Sequence, residues 1–251
     1  MVSRDFRVSL LDHDDRQRST VNLGITTADG LSFAARLAST FARCVRAPAG
    51  FIPDGTWRGW EQADLLHADR PGQVELYGAP GWKGPQDISA VIRTMWDERF
   101  FYVGVETRDD VFSAGGHPAH ELFLGDALEV GFDFEHAGSN DAVLWQFAAG
   151  LTPQGPAIYR HVPVPDGPVA VDTRRFIVKK TGVNGNAIHQ IAIPWSAAGD
   201  FKPAPGKQIG FGVIVDDGDG VRGDRKFISW FGSGVSSKKP NNLGEIIFVE
   251  R

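Results

Sequence analysis

The chain has 251 residues, of which 42% are hydrophobic and 23% charged, values typical of one large globular domain and not of a disordered chain. Its net charge of −5 and the lack of a long basic block argue against a nucleic-acid partner or attachment to a membrane through a charged face. The one cysteine, Cys44, excludes an intramolecular disulfide and a cysteine-based zinc site, and no segment is apolar over a length that spans a membrane.

Residues 1–46 are predicted to form an N-terminal extension of the main domain, which covers residues 47–251. The boundary is placed at the Ala47-Pro48-Ala49-Gly50 sequence, because proline and glycine favour a connecting segment. Strand-like runs at Asp5–Leu11 and Thr20–Thr26 precede it. These runs are either extra strands of the main domain or the tail of a preceding one.

Helices are expected to be few and short. Leu31–Val45 has partly helical spacing but fits a strand equally well, and a short helix is predicted within Thr56–Leu66. The 30 glycines and 15 prolines are spread along the chain, which favours many short strands joined by turns.

Apolar and polar residues alternate with a period of two through most of the main domain, which predicts half-buried strands. The pattern is clearest at Phe101–Arg108, Ala127–Glu135 and Ile209–Asp216. Further strands are predicted over Ala90–Met95, Val143–Ala148, Arg175–Lys180, Ala187–Ile193, Lys226–Trp230 and Glu245–Val249. Asn184-Gly185 indicates a type I′ hairpin turn. The predicted fold is therefore an all-β, antiparallel β-sandwich of the jelly-roll or immunoglobulin-like kind.

From Phe51 onward, an ordered series of motifs resembles the family 9 carbohydrate-binding modules and their DOMON-like relatives. The series opens with the Asp54-Gly55 turn and Trp60. It continues, in chain order, with Asp87–Ala90, Met95–Val105, Asp109-Asp110, Gly125–Asp133, Ala192–Trp195, Pro205-Gly206, Ile209–Phe211, Asp216-Asp217, Ile228–Trp230 and Asn242–Gly244. The resemblance implies a DOMON-like β-sandwich that binds an oligosaccharide or polysaccharide.

The resemblance also implies a set of ligand-binding residues. In that family two aromatic side chains sandwich a terminal sugar, aided by a glutamate and an arginine. Glu129 matches the glutamate, and Phe123 lies where the family has one stacking tryptophan. Trp82, in a glycine-rich loop, and Gln146 complete the predicted ligand-binding set.

A calcium site is the second candidate. Asp216, Asp217 and Asp219, with Asp224 nearby, cluster hard oxygen ligands in a glycine-rich segment, as calcium requires. The alternative is an acidic hairpin turn without a metal, because aspartate and glycine favour turns. No haem is expected, since Met95 is the only internal methionine and lies in a predicted core strand. The sequence has no nucleotide-binding fingerprint.

Paired-carboxylate catalysis is the rival interpretation. Glu129 and Asp133 share one face of a predicted strand, about 13 Å apart at roughly 3.3 Å per residue. Glycoside hydrolysis requires about 5–9.5 Å, so this pair is not a catalytic couple. The sequence also lacks a Gly-x-Ser-x-Gly elbow. A glycan-active enzyme with an unrecognised site remains a further alternative.

The function expected is non-catalytic carbohydrate binding that targets an attached glycoside hydrolase or polysaccharide lyase to its substrate. The charged first twenty residues contain no signal peptide, which fits an internal or C-terminal module of a secreted bacterial protein, extracellular or periplasmic, with a catalytic domain upstream. The alternative is a structural or protein-interaction sandwich that has lost sugar binding. Two departures from the family motivate it: residues 231–237 lack a tryptophan, and Ala148 stands where the family has an arginine.

Overall fold

The computed structural model describes residues 19–26, 32–39, 41–79, 81–135, 143–161, 176–181, 186–219 and 225–250. The chain divides into two compact units, residues 1–42 and 43–251. In the first unit, β1 (Ser19–Thr26) and β2 (Ser32–Ser39) pair in the antiparallel sense. The strand predicted at Asp5–Leu11 lies outside the described residues. Assignment of residues 1–46 as an extension stays a prediction.

The remaining strands carry almost all of the regular structure. They are β3 (Phe41–Arg46), β4 (Leu66–Ala68), β5 (Val74–Tyr77), β6 (Ile88–Trp96), β7 (Phe100–Asp109), β8 (Ala127–Asp133), β9 (Trp145–Thr152), β10 (Gly155–Arg160), β11 (Phe176–Lys180), β12 (Ala187–Pro194), β13 (Gln208–Asp217), β14 (Arg225–Trp230) and β15 (Gly244–Val249). One α-helix, α1 (Ser233–Ser236), and 3₁₀ helices at Pro71–Gln73, Ala119–Leu124, Trp195–Ala197 and Pro240–Asn242 complete the described elements. None of these helices is long and apolar enough to cross a membrane.

The strand predictions are confirmed, including the strand alternative for Leu31–Val45. The helix predicted within Thr56–Leu66 is wrong, because the chain there forms successive turns. Gly59 adopts a φ of 88° in this segment, a left-handed conformation that a helix cannot accommodate. The Asn184-Gly185 turn lies outside the described residues, although the flanking strands β11 and β12 do pair antiparallel.

The fold is an all-β sandwich of two layers. Layer A has the strand order β5-β14-β13-β8-β9-β10, and layer B has the order β4-β6-β7-β12-β11. Strands β15 and β3 connect the layers, since β15 neighbours both β13 and β3, and β3 pairs with β6. The β3–β6 pair is parallel, whereas the pairs within the two layers are antiparallel.

The core lies between the layers and is rich in phenylalanine. Phe101 of β7 meets Phe132 of β8 with ring centroids 5.1 Å apart and Phe211 of β13 at 5.5 Å. All three side chains are fully buried. Burying a phenylalanine contributes about 1.5–3 kcal/mol, and the edge-on contact of Phe101 with Phe132 adds to it. This packing fixes the inner face of each strand and therefore fixes which residues face outward.

The outer faces of the central strands β8 and β13 are also buried, which corrects the half-buried strands expected at Ala127–Glu135 and Ile209–Asp216. Glu106 and Arg108 of β7 are exposed, as the alternation predicts. In β8 every residue from Ala127 to Asp133 is buried. Irregular segments cover these faces, and glycines provide the space. Gly131 and Gly212, cross-strand partners in β8 and β13, both lie beneath Val235 of the covering segment 231–243.

A second covering segment, residues 51–63, lies on layer B. Trp57 and Trp60 pack against Gly104 of β7, where a side chain would collide with both indole rings. Gln190 of β12 holds this segment through its backbone: the side-chain oxygen accepts hydrogen bonds from the amides of Asp54 and Gly55 at 3.1 and 2.9 Å. Its amide nitrogen donates to the Thr56 carbonyl at 2.6 Å. A buried glutamine thus satisfies backbone groups that no strand partners.

Gly212→Ala tests whether the covering segment 231–243 packs closely on the glycines of layer A. A Cβ at this position would lie 2.5 Å from the Phe231 carbonyl oxygen, a backbone atom that cannot rotate away. We expect the free energy of unfolding, measured by urea denaturation, to fall by about 1–3 kcal/mol. Gly72→Ala is the control, because an added Cβ there meets no atom within 4 Å. Equal stability of the two variants would contradict close packing of the covering segment.

Candidate functional site

Glu129 lies in the middle of β8 on the outer face of layer A. It pairs with Ile214 of β13 and Ala148 of β9. Gln146, two residues along β9, shares this face, and its side-chain amide donates a hydrogen bond to the Glu129 carboxylate. Glu129 is only 7% exposed, so it lies in a recess of this face. The structure brings Glu129 and Gln146 together, while their role in ligand binding stays a prediction.

Lys238, from the segment that covers layer A, completes a hydrogen-bonded chain with these two residues. Its ammonium group donates to the side-chain oxygen of Gln146. Lys238 lies in the turn that follows α1, and its φ of 59° is uncommon for a residue with a side chain. Burial raises the pKa of Glu129, although the charges of Lys238 and Arg225 and the Gln146 hydrogen bond oppose the rise.

Phe123 lies in the 3₁₀ helix Ala119–Leu124 and contacts Arg225. The guanidinium carbon of Arg225 is 4.8 Å from the Phe123 ring centroid and 4.8 Å from that of Tyr77. Nη1 of Arg225 donates to the Phe123 carbonyl oxygen at 3.0 Å. Arg225 begins β14 and Tyr77 ends β5, and the two are register partners. An arginine therefore stands beside the predicted aromatic residue, although it does not come from position 148.

The aromatic groups extend across layer A to its other edge. His161 meets Phe123 with ring centroids 5.8 Å apart and Tyr159 at 5.2 Å, and Tyr159 is 6.5 Å from His120. The backbone amide of His161 also donates to the Gln146 carbonyl at 3.0 Å. Burial and the nearby charges of Lys238 and His120 lower the pKa of His161 to about 4, so this imidazole is neutral at physiological pH. We call Tyr77, Phe123, His161, Tyr159 and His120 the aromatic rim.

Trp82 is held at the beginning of β6 in layer B. Its indole N–H donates to the Ile88 carbonyl at 2.9 Å, and the neighbouring Lys83 amide donates to the Asp87 carboxylate. These bonds connect its loop to the acidic end of the sandwich described below. Participation of Trp82 in the ligand-binding set stays a prediction.

Sequence reasoning did not identify Arg225, Lys238 or Tyr77 as part of this face. Arg225 and Tyr77 lie at strand ends, and Lys238 follows a four-residue helix. No local pattern distinguishes them from ordinary surface residues. The one usable signal is the tryptophan-free loop at residues 231–237, which leads directly into Lys238.

An acidic cluster occupies one end of the sandwich, around Lys226 of β14. The Lys226 ammonium is 3.1 Å from Asp87 and 2.8 Å from both Asp217 and Asp219. Carboxylate oxygens of Asp109, Asp217 and Asp219 all lie within 4.8 Å of one another. The side chain of Lys226 is almost fully buried, so its charge compensates the carboxylates without help from water.

The predicted calcium ligands are only partly brought together by this arrangement. Asp217 and Asp219 belong to the cluster, but Asp216 does not. Successive residues of a strand face opposite sides, so Asp216 lies on the Glu129 side of β13, where burial and the Glu129 charge raise its pKa well above the usual value. Asp224 lies outside the described residues. Asp109, from the end of β7, joins the set instead, a contact between residues far apart in sequence.

Asp109, Asp217 and the neighbouring Asp126 have raised pKa values, whereas the pKa of Asp219 is lowered because burial, which would raise it, is outweighed by its hydrogen bonds with Lys226 and Asp217. Burial, the largest cause in each case, raises the pKa of Asp109 to about 9, that of Asp217 to about 7 and that of Asp126 to about 6. Repulsion from neighbouring carboxylates adds to the effect, notably from Asp126 on Asp109. One ammonium group does not neutralise so many buried carboxylates. The cluster therefore retains protons near neutral pH or requires another cation.

Comparison with known proteins gives a family and a fold. Residues 73–251 match the family model described as carbohydrate family 9 binding domain-like. A comparison with curated proteins gives no match.

Solved structures share the fold. A carbohydrate-binding module of family 9 from Caldicellulosiruptor kristjanssonii in complex with cellotriose has a TM-score of 0.57 and 16% identity, with 84% of this chain and 95% of that chain covered. The same kind of module from that organism in complex with glucose has a TM-score of 0.58 and 18% identity, with coverages of 83% and 96%. A protein from Bacteroides uniformis ATCC 8492 has a TM-score of 0.53 and 12% identity, with coverages of 84% and 98%.

The raised pKa values of Asp109, Asp217 and Asp126 predict a pH dependence of stability. Because they exceed the value of about 4 for an unfolded aspartate, the native state binds more protons than the unfolded state. The stability they contribute is complete below about pH 4 and is lost as pH rises through the native pKa values. Between pH 7 and 8.5, in the presence of a chelator, Asp109 alone should lower the free energy of unfolding by about 1.4 kcal/mol per pH unit.

Asp109→Asn should flatten this slope in urea denaturation. The substitution keeps an oxygen for the Val111 amide, which donates to the Asp109 carboxylate at 2.9 Å. Asp200→Asn, at an exposed turn, is the control and should keep the wild-type slope. An unchanged slope in Asp109→Asn would show that Asp109 does not hold the proton.

Proposed function

Because the chain belongs to the carbohydrate family 9 binding domain-like family, we propose that it binds an oligosaccharide or polysaccharide on the outer face of layer A without cleaving it. The supporting observation is the hydrogen-bonded chain of Glu129, Gln146 and Lys238 beside Phe123 and Arg225. Sugar recognition requires fixed polar groups for hydroxyls next to aromatic surface for the apolar ring faces. The solved structures with cellotriose and glucose show that the same fold carries sugar sites in other proteins.

Glu129, Gln146 and Lys238 each have a definite role in the proposed sugar binding. Glu129 accepts hydrogen bonds from sugar hydroxyls, and Gln146 and Lys238 donate to hydroxyl oxygens while they hold Glu129 in place. Their mutual hydrogen bonds restrict their rotamers before ligand arrives, which reduces the entropy lost on binding. Phe123 supplies an apolar ring face at the edge of the recess.

We further propose that binding serves to concentrate an attached polysaccharide-active enzyme at its substrate, outside the cytoplasm. A module that binds a glycan without cleaving it raises the effective concentration of the glycan near an attached catalytic domain. The alternative is a structural or protein-interaction sandwich. The deep position of Glu129 beneath residues 231–243 favours that alternative, since the cover limits access to the face.

Calcium binding at the acidic cluster is a separate proposal. Asp109, Asp217 and Asp219 offer hard oxygens at converging positions, and Asp217 is 1% exposed with one carboxylate oxygen that no described group hydrogen-bonds. This donor set fits calcium. When bound there, the ion would supply positive charge that Lys226 alone does not provide, and would join the ends of β7 and β13.

Glu129→Gln tests the sugar site. The substitution replaces a charged acceptor with a weaker neutral one, and we expect the affinity for the best glycan of a soluble panel to fall at least about tenfold in calorimetric titration. Glu106→Gln is the matched control, because Glu106 is an exposed carboxylate on β7 of layer B. Absence of binding to every glycan by the folded wild type would overturn the proposal, and release of reducing sugar from the panel would contradict a non-catalytic role.

Calcium should raise the thermal stability of the wild type. At 100 times its dissociation constant, a ligand that binds only the native state adds about 2.7 kcal/mol to the free energy of unfolding. Asp217→Asn should abolish the calcium-dependent rise in melting temperature, whereas Asp200→Asn should keep it. A melting temperature of the wild type that does not respond to calcium would contradict the metal proposal and leave the sugar site unaffected.

A further inference from the structure

Arg225 is held by several contacts at the edge of the proposed carbohydrate-binding face. Two rings contact its guanidinium group, with Tyr77 and Phe123 centroids each 4.8 Å from the guanidinium carbon. Nη1 is fixed by the Phe123 carbonyl. Tyr77 in turn stacks on the buried Phe227, with ring centroids 5.7 Å apart and an interplanar angle of 26°. The position of the guanidinium is therefore set by packing on both layer A and the 3₁₀ helix that carries Phe123.

Stacking on rings uses the faces of a guanidinium and leaves its N–H groups directed outward in the plane. Of these five N–H groups, one is committed to the Phe123 carbonyl. A planar fork of N–H donors is the group that proteins use for bidentate recognition of a carboxylate. Arg225 is only partly buried, and it contacts Phe123 and Tyr77 of the aromatic rim.

A second cation lies on the same face. The charges of Arg225 and Lys238 both act on Glu129 and on Asp216, which places the two cations around the same recess. The Asp216 and Glu129 side chains lie deeper, at 2% and 7% exposure, and Glu129 already accepts the Gln146 hydrogen bond. The face thus presents two fixed positive groups to an incoming ligand, against carboxyl groups that lie deeper.

We propose that this face selects sugars that carry a carboxylate, namely glycans of hexuronic acid residues. Arg225 binds the carboxylate through its free N–H edge, Lys238 adds a second positive charge, and the aromatic rim contacts the ring faces. The inference rests on the proposed function, and it makes Arg225 a determinant of specificity. A neutral sugar at the same position would leave the guanidinium edge without a charged partner.

The test compares matched pairs of acidic and neutral oligosaccharides by calorimetric titration of the whole chain: oligoglucuronate against gluco-oligosaccharide and oligogalacturonate against galacto-oligosaccharide. We expect the wild type to bind at least one acidic member about tenfold or more tightly than its neutral counterpart. Its affinity should fall as the salt concentration rises. Arg225→Met, which keeps an apolar stem between the rings, should abolish the preference, and Arg225→Lys should retain part of it because charge remains without the fork.

Arg99→Met is the matched control. Arg99 is exposed in the turn between β6 and β7, and its guanidinium carbon also contacts an aromatic ring, that of Phe100 at 5.3 Å. This variant should bind as the wild type does, and melting temperatures check that all variants are folded.

The outcomes separate this inference from the proposed function. Equal or tighter binding of the neutral members by the wild type would overturn selection for acidic sugars and keep the carbohydrate site. Tighter binding of neutral glycans by Arg225→Met than by the wild type would also overturn it, since Arg225 would then obstruct the face. Failure of the wild type to bind any member of either series would contradict the proposed function itself.

Discussion

Burial of both faces of the central strands is the constraint on which the rest of this structure depends. A sheet buried on one side can leave its polar residues to water, but here residues 51–63 and 231–243 lie on the outer faces of the two layers. Every polar group beneath such a cover requires a partner within the protein, because an unpaired buried group costs about 1–3 kcal/mol. Gln190 meets this requirement in layer B, and Glu129, Gln146 and Lys238 meet it in layer A.

Strand β13 connects the two chemically distinct regions of the molecule. Its last two residues, Asp216 and Asp217, face opposite sides of layer A. Asp216 lies near Glu129 and the cations of the proposed sugar face, whereas Asp217 belongs to the acidic cluster around Lys226. Because successive side chains of a strand point to opposite faces, these two adjacent carboxyl groups have different charged neighbours. Each affects the electrostatics of its own face.

Much of the fold was predictable, since the alternation at Phe101–Arg108 and Ile209–Asp216 marks strands whatever covers them. The segment that covers β8 was not predictable from the sequence of β8. A run such as Glu129-Val130-Gly131 has the same alternation whether its outer face meets water or Val235. The helix prediction at Thr56–Leu66 was wrong for a similar reason. The apolar residues of this segment are spaced by their packing onto Gly104, and the backbone between them forms turns. Of the candidate site, Phe123, Glu129 and Gln146 came from the resemblance. Partners distant in sequence, such as Arg225, Lys238 and Asp109, required the three-dimensional structure.

The Gln190 anchor has a consequence for how the chain can vary. Its three hydrogen bonds reach only the main chain of residues 54–56, two amides and one carbonyl, and no side chain of that stretch. The attachment therefore does not depend on the side chains of Asp54 and Thr56, whereas the φ of 74° at Gly55 favours glycine there. Substitutions at the exposed Asp54 and Thr56 would remove their mutual hydrogen bonds but leave the three Gln190 bonds in place, so new surface chemistry can arise on layer B without loss of the attachment.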